Sequence, residues 1–118
     1  MLPLLQARIA ELWAILADLI ADVTVFRVDY NAFHLRVTLT DGGTLRISEQ
    51  YHQGKLEQYA YYWLDADERL RIGWDNAPHH RHLPNFPHHK HVSSQDNLQS
   101  AAETTPVAIL AAIKAQLS

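Results

Sequence analysis

Six of the chain's eight histidines fall between residues 79 and 91: His79, His80, His82, His88, His89 and His91. Imidazole titrates near neutrality, so two such rings can serve as base and acid across one bond. Arg81 and Lys90 lie among them, and Arg71 stands a little upstream. Cations of this kind suit the extra negative charge on a phosphate in a transition state. Cutting an RNA strand needs such groups: a base for the 2′-hydroxyl, an acid for the leaving oxygen and a cation at the phosphate. Tyr59, Tyr61, Trp63 and Trp74 offer flat faces on which bases can stack.

Two other readings use the same residues. A divalent transition metal would take His79, His80, His88, His89 and His91 as its ligand pool, since neutral imidazole binds such ions well. Against this, adjacent histidines usually point apart, the spacing matches no zinc motif, and HExxH is absent. The leading reading therefore takes no cofactor. In the third reading the chemistry is not enzymatic: histidines such as His79 and His88 brace a loop backbone, and the loop recognises a partner. His34 and His52 read as polar-face strand residues, Trp13, Trp63 and Trp74 as core, and Arg69 and Arg71 as solvating groups on an open face. Asp75 and Asn76 are natural turn and cap residues beside the histidines. Glu49 is in phase with apolar Leu45 and Ile47, so it either borders a pocket or pairs with a basic residue.

These groups need elements to hold them. Pro78, Pro84 and Pro87 each remove a backbone donor and restrict the residue before them, so residues 77–92 read as an ordered, stiffened loop. Upstream, Leu5, Ile9, Leu12, Leu16, Leu19 and Val23 recur at three- and four-residue spacing, which predicts a helix over 3–22 with Pro3 in its first turn. Five strands follow within residues 23–76. The clearest is the alternation of Phe33, Leu35, Val37 and Leu39 with His34, Arg36, Thr38 and Thr40. Asp41-Gly42-Gly43 and Gln53-Gly54 are hairpin turns. Short turns force an antiparallel meander, because parallel pairing needs long crossovers. Residues 93–105 are rich in Ser, Gln, Asn and Thr and read as a linker. Thr105 as N-cap and Pro106 as first helical residue open a final helix over 106–117.

The whole is a single α+β domain, with the helices on one sheet face and the His-rich loop at the sheet's later edge. At 118 residues and 47% apolar composition the chain can bury a real core. With no cysteine, disulfides, thiolate nucleophiles and Cys-ligated zinc are excluded. Residues 2–20 are apolar, but Arg8, Glu11 and Asp18 interrupt them, so the segment reads as an amphipathic helix and the protein as cytoplasmic, without a membrane span. A net charge of −3 is not that of an overall nucleic-acid binder, so anion recognition would have to be local.

The runs Trp74-Asp75-Asn76-Ala77-Pro78-His79-His80 and Phe86-Pro87-His88-His89-Lys90-His91, with the tyrosine-rich Tyr59-Ala60-Tyr61-Tyr62-Trp63, resemble the TumE-type proteins. These are toxins of two-gene toxin–antitoxin systems, paired with a small helix-turn-helix antitoxin called TumA. The resemblance runs from about Phe33 to Val92 and implies growth inhibition with a nuclease-like mechanism. Carried over position by position, it implies a site at Asp75, Asn76, His79, His80, Pro87, His88, His89 and His91, with Lys90 beside them. Taken together, the expectation is a metal-independent ribonuclease toxin. Its catalytic candidates are His79, His80, Arg81, His88, His89, Lys90 and His91. Glu49, Tyr59, Tyr61, Arg71, Trp74, Asp75 and Asn76 support them, RNA is the substrate, and an antitoxin or a second copy covers leftover apolar surface.

Overall fold

Leu5, Leu12 and Leu16 bury the inner stripe of the first helix, α1 (Leu2–Leu16), in the computed structural model, which describes residues 1–117. The helix stops at Leu16 rather than running on to residue 22. Ala17 turns to a φ of 42°, a short 3₁₀ turn covers Ala17–Leu19, and Ile20 begins a strand. Leu19 and Val23 continue the helical spacing, but Ile20 and Val23 gain ladder partners in Leu39 and Val37. Long-range pairing here outweighs a local periodicity.

The strands are β1 (Ile20–Val28), β2 (Ala32–Leu39), β3 (Thr44–His52), β4 (Lys55–Leu64), β5 (Leu70–Asp75), β6 (His89–Val92) and β7 (Leu98–Ser100), and the second helix, α2, is Pro106–Leu117. All seven strands form one antiparallel sheet in chain order. The meander is as expected, but it has seven strands, not five. The added two come from stretches read as His loop and linker. They are only four and three residues long, without a β-branched run, so they carry little local signal. What makes them strands is the unpaired edge of β5, which β6 satisfies, and β7 then satisfies β6.

Alternation gives the sheet two unlike faces. One carries Phe33, Leu35, Val37, Leu45, Ile47, Tyr59, Tyr61, Trp63, Ile72 and Trp74, packed with Leu12 and Leu16 of α1 and Ile109, Leu110 and Ile113 of α2 into one core. Among the described residues no helix covers the other face, which presents His34, Arg36, Arg46, Ser48, Tyr62 and Asp75. Among the described residues no helix is long and apolar enough to cross a membrane.

Candidate functional site

Strand parity decides which histidines meet. Asp75 pairs with His89, and Gly73 with His91, so both rings share the open face with the Asp75 carboxylate. His89 Nε2 lies 2.8 Å from Asp75 Oδ1, and His91 Nε2 lies 3.6 Å from Oδ2. On their far sides, His89 Nδ1 donates to the Pro87 carbonyl and His91 Nδ1 to the Gln95 carbonyl, each at 3.0 Å. The Asp75 carboxylate also accepts from Ala77 N–H at 3.0 Å and the Tyr62 hydroxyl at 3.1 Å. His89 and His91 are 3% and 8% exposed, so this is a sheltered cluster and not a surface fringe.

Tyr62 reaches Asp75 because the residue between them is Gly73. A Cβ there would stand 3.2 Å from three Tyr62 ring carbons, so the ring lies across the bare backbone. Burial, then the Asp75 charge, pushes the Tyr62 phenol up to about 12, which keeps it a hydrogen-bond donor.

The loop from Asn76 to His88 leans over this cluster. His80, at φ 60°, brings its ring to 5.3 Å from that of His89, edge to face. Lost solvation, and then the neighbouring imidazoles led by His89, hold His80 below the ordinary histidine value. Its ring makes no hydrogen bond among the described residues, unlike those of His89 and His91. The Asn85 side chain donates to Ala101 O at 3.0 Å and ties the loop to the chain beyond β7.

The remaining candidates separate by face. Alternation sends His88 and Lys90 to the helix-covered side. His88 stacks on Tyr59 and shares a 2.7 Å hydrogen bond with its hydroxyl. Burial, then His89, lowers its pKa. Lys90 pairs with Glu103 at 3.4 Å, and Trp74 Nε1 donates to the same carboxylate at 3.2 Å. Tyr59, Tyr61, Trp63 and Trp74 lie in the core, so their rings offer no face to a nucleobase. Glu49, fully enclosed under α1, accepts Arg8 Nε at 2.8 Å, Tyr51 OH at 2.5 Å and Tyr61 OH, so it belongs to a structural network. Asn76 ties β4 to β5 by accepting Tyr59 N–H and donating to Glu57 O. Arg71 lies over the Trp63 ring and 3.8 Å from Asp41, toward the opposite end of β5. His79 and Arg81 are exposed on the loop, with Arg81 over Phe86 at 5.7 Å.

The structure adds residues that sequence reasoning passed over. Register sets two rows across the open face: His34, Ser48, Ala60, Asp75, His89 in one, and Arg36, Arg46, Tyr62, Gly73, His91 in the next. Small residues at Ser48 and Ala60 leave a trough. It forms two adjoining depressions of about 590 and 330 Å³ that share His34, Ser48 and Ala60. Arg36 and Arg46 stand directly opposite each other with no ion pair to a carboxylate among the described residues. Their places in phase with His34 and Ser48 were the available signal, as was a lone glycine inside β5.

The family model for the toxin TumE matches residues 8–117. No curated protein and no solved structure matches the chain. The family match runs from within α1 to the end of α2 and includes every residue of the Asp75 cluster and the trough, and on that match this chain belongs to the TumE toxin family.

Proposed function

We propose that this chain is the toxin of a two-gene toxin–antitoxin pair and stops growth by cleaving RNA on the open face of its sheet. Family membership supports a toxin role and an antitoxin partner, here read as a small helix-turn-helix protein. The observation that carries the cleavage reading is the row from Arg36 and Arg46 to His91. Like charges placed directly across a strand pair destabilise the fold. Two such arginines without carboxylate partners among the described residues, Arg36 resting only on the Phe26 ring at 4.8 Å, in a chain of net charge −3, support an anion that binds between them. A polyanion laid along the trough would put one phosphate at the arginines and another beside the Asp75 cluster.

In the metal-independent form, His80 is the loop imidazole that lies against His89 with its ring nitrogens uncommitted, and it moves the protons. It takes the proton of a 2′-hydroxyl, the 2′-oxygen attacks phosphorus, and the bond to the 5′-oxygen breaks. That oxygen leaves with a proton from a second imidazole of the loop or cluster. Arg36 and Arg46 hold the strand by its phosphates. The non-enzymatic reading gains from rings that point apart with no depression between loop and sheet. Two rings gathered on Asp75 beside a trough weigh against it.

The test is controlled expression of this gene with and without its antitoxin, followed by growth and cellular RNA integrity. Arrest with RNA breakdown is expected, relieved by the antitoxin and by His80→Ala and His91→Ala variants that retain native circular dichroism. Arrest that persists in both folded variants, or arrest with intact RNA, would remove the ribonuclease assignment.

A further inference from the structure

We propose that Asp75, His89 and His91 form a binding site for one divalent transition-metal ion of the zinc class. The inference does not depend on RNA being the substrate. It rests on what the three side chains present to one another. Both Nδ1 atoms are committed as donors to main-chain carbonyls, so in the neutral rings each Nε2 carries a lone pair. Two lone pairs and a carboxylate then face one another inside a sheltered pocket, with the ligand atoms all within 4.8 Å of one another. Such a group is satisfied by a cation at its centre.

The spacing is near that of an ion's ligands. Donors about 2.1 Å from a tetrahedral or octahedral centre are separated by roughly 3.0–3.4 Å. The two nitrogen–oxygen distances, 2.8 and 3.6 Å, run to different oxygens of Asp75 and lie just either side of that range, and the three ligand atoms spread to within 4.8 Å, so the side chains would draw together around the ion. The carbonyl bonds behind both rings are the usual outer support of a metal-bound histidine, fixing the tautomer that leaves Nε2 as ligand. Two imidazoles and one carboxylate also leave coordination positions open on the side where the trough and His80 approach, as a metal that polarises a phosphate or activates water requires. The ligand set differs from the pool suggested by composition: of those five histidines only His89 and His91 take part, and the third ligand is an aspartate.

The experiment uses full-length protein without an affinity tag. Zinc binding is followed by calorimetry and elemental content, and cobalt(II) binding by its visible absorption. Loop histidines are a source of false signal, so His79→Ala/His82→Ala serves as the background. One equivalent of zinc is expected in both wild type and this background. Asp75→Asn and His91→Ala, made in the background, should weaken binding at least tenfold. Cobalt should give ligand-field bands that only the latter two lose. Binding that disappears in the loop background, or survives Asp75→Asn and His91→Ala, overturns the site. If those variants unfold, the background protein decides alone: without stoichiometric zinc and cobalt bands, the proposal fails. None of these readings involves RNA cleavage, so failure here is distinct from failure of the nuclease assignment.

Discussion

Each oxygen of Asp75 serves two groups. Oδ1 accepts the Ala77 amide and faces His89, while Oδ2 accepts the Tyr62 hydroxyl and faces His91. The Tyr62 contact depends on a missing side chain one strand away. Gly73→Ala would place a Cβ 3.2 Å from the ring, so the ring must give by a few tenths of an ångström, which stretches its 3.1 Å hydroxyl bond to Asp75. The expected outcome is a loss of up to about 1 kcal/mol from the weakened hydrogen bond, read from urea midpoints. Tyr62→Phe should lose a similar amount while leaving the ring in place. If Gly73→Ala is neutral while Tyr62→Phe is not, the glycine is unrelated to the tyrosine's reach.

At the scale of elements, β6 is a two-sided strand. His89 and His91 serve the open face, while Lys90 binds Glu103 ahead of α2 and helps close the other. Desolvation pushes the Glu103 carboxyl up, but the Trp74 indole and Lys90 outweigh it and hold it below the ordinary glutamate value. A group depressed in the folded state adds stability above its unfolded pKa and loses it as pH falls through the folded value. Wild type should therefore exceed Glu103→Gln in stability at neutral pH, with the difference shrinking below about pH 4.5. Urea titrations from about pH 3 to 7 measure this. A difference that is flat with pH would mean the carboxyl contributes shape and not charge.

Across the whole molecule, Arg8 of α1 reaches Glu49 of β3, 41 residues away, and clamps the helix onto the sheet. Removing one partner strands a charge with no solvent. Arg8→Ala should therefore destabilise by about 3–5 kcal/mol, and Arg8→Met/Glu49→Leu should recover most of it. A double variant no better than the single would argue against a stranded charge. The open face carries a different prediction. Arg36→Ala and Arg46→Ala should each weaken single-stranded RNA binding and lower the salt slope of log K by about 0.7 per lost phosphate contact, without loss of stability. Unchanged affinity and slope would detach the arginines from substrate.

Much of this was legible locally. In β2 to β5, alternating apolar residues bounded by Gly and Asp turns specify strands, faces and antiparallel order, because period-two patterning and short turns admit few alternatives. The chemistry of the site was legible as residue types: histidines in excess, with Asp75 just before them. Which histidines act together was not. Shifting a strand's pairing by one residue swaps its faces, and β6 is too short to carry its own pattern. Only pairing with β5 put His89 and His91, and not His88 and Lys90, against Asp75. The same holds for the end of α1 at Leu16 and for Glu49 inside the core, where partners distant in sequence outweigh what neighbours along the chain suggest.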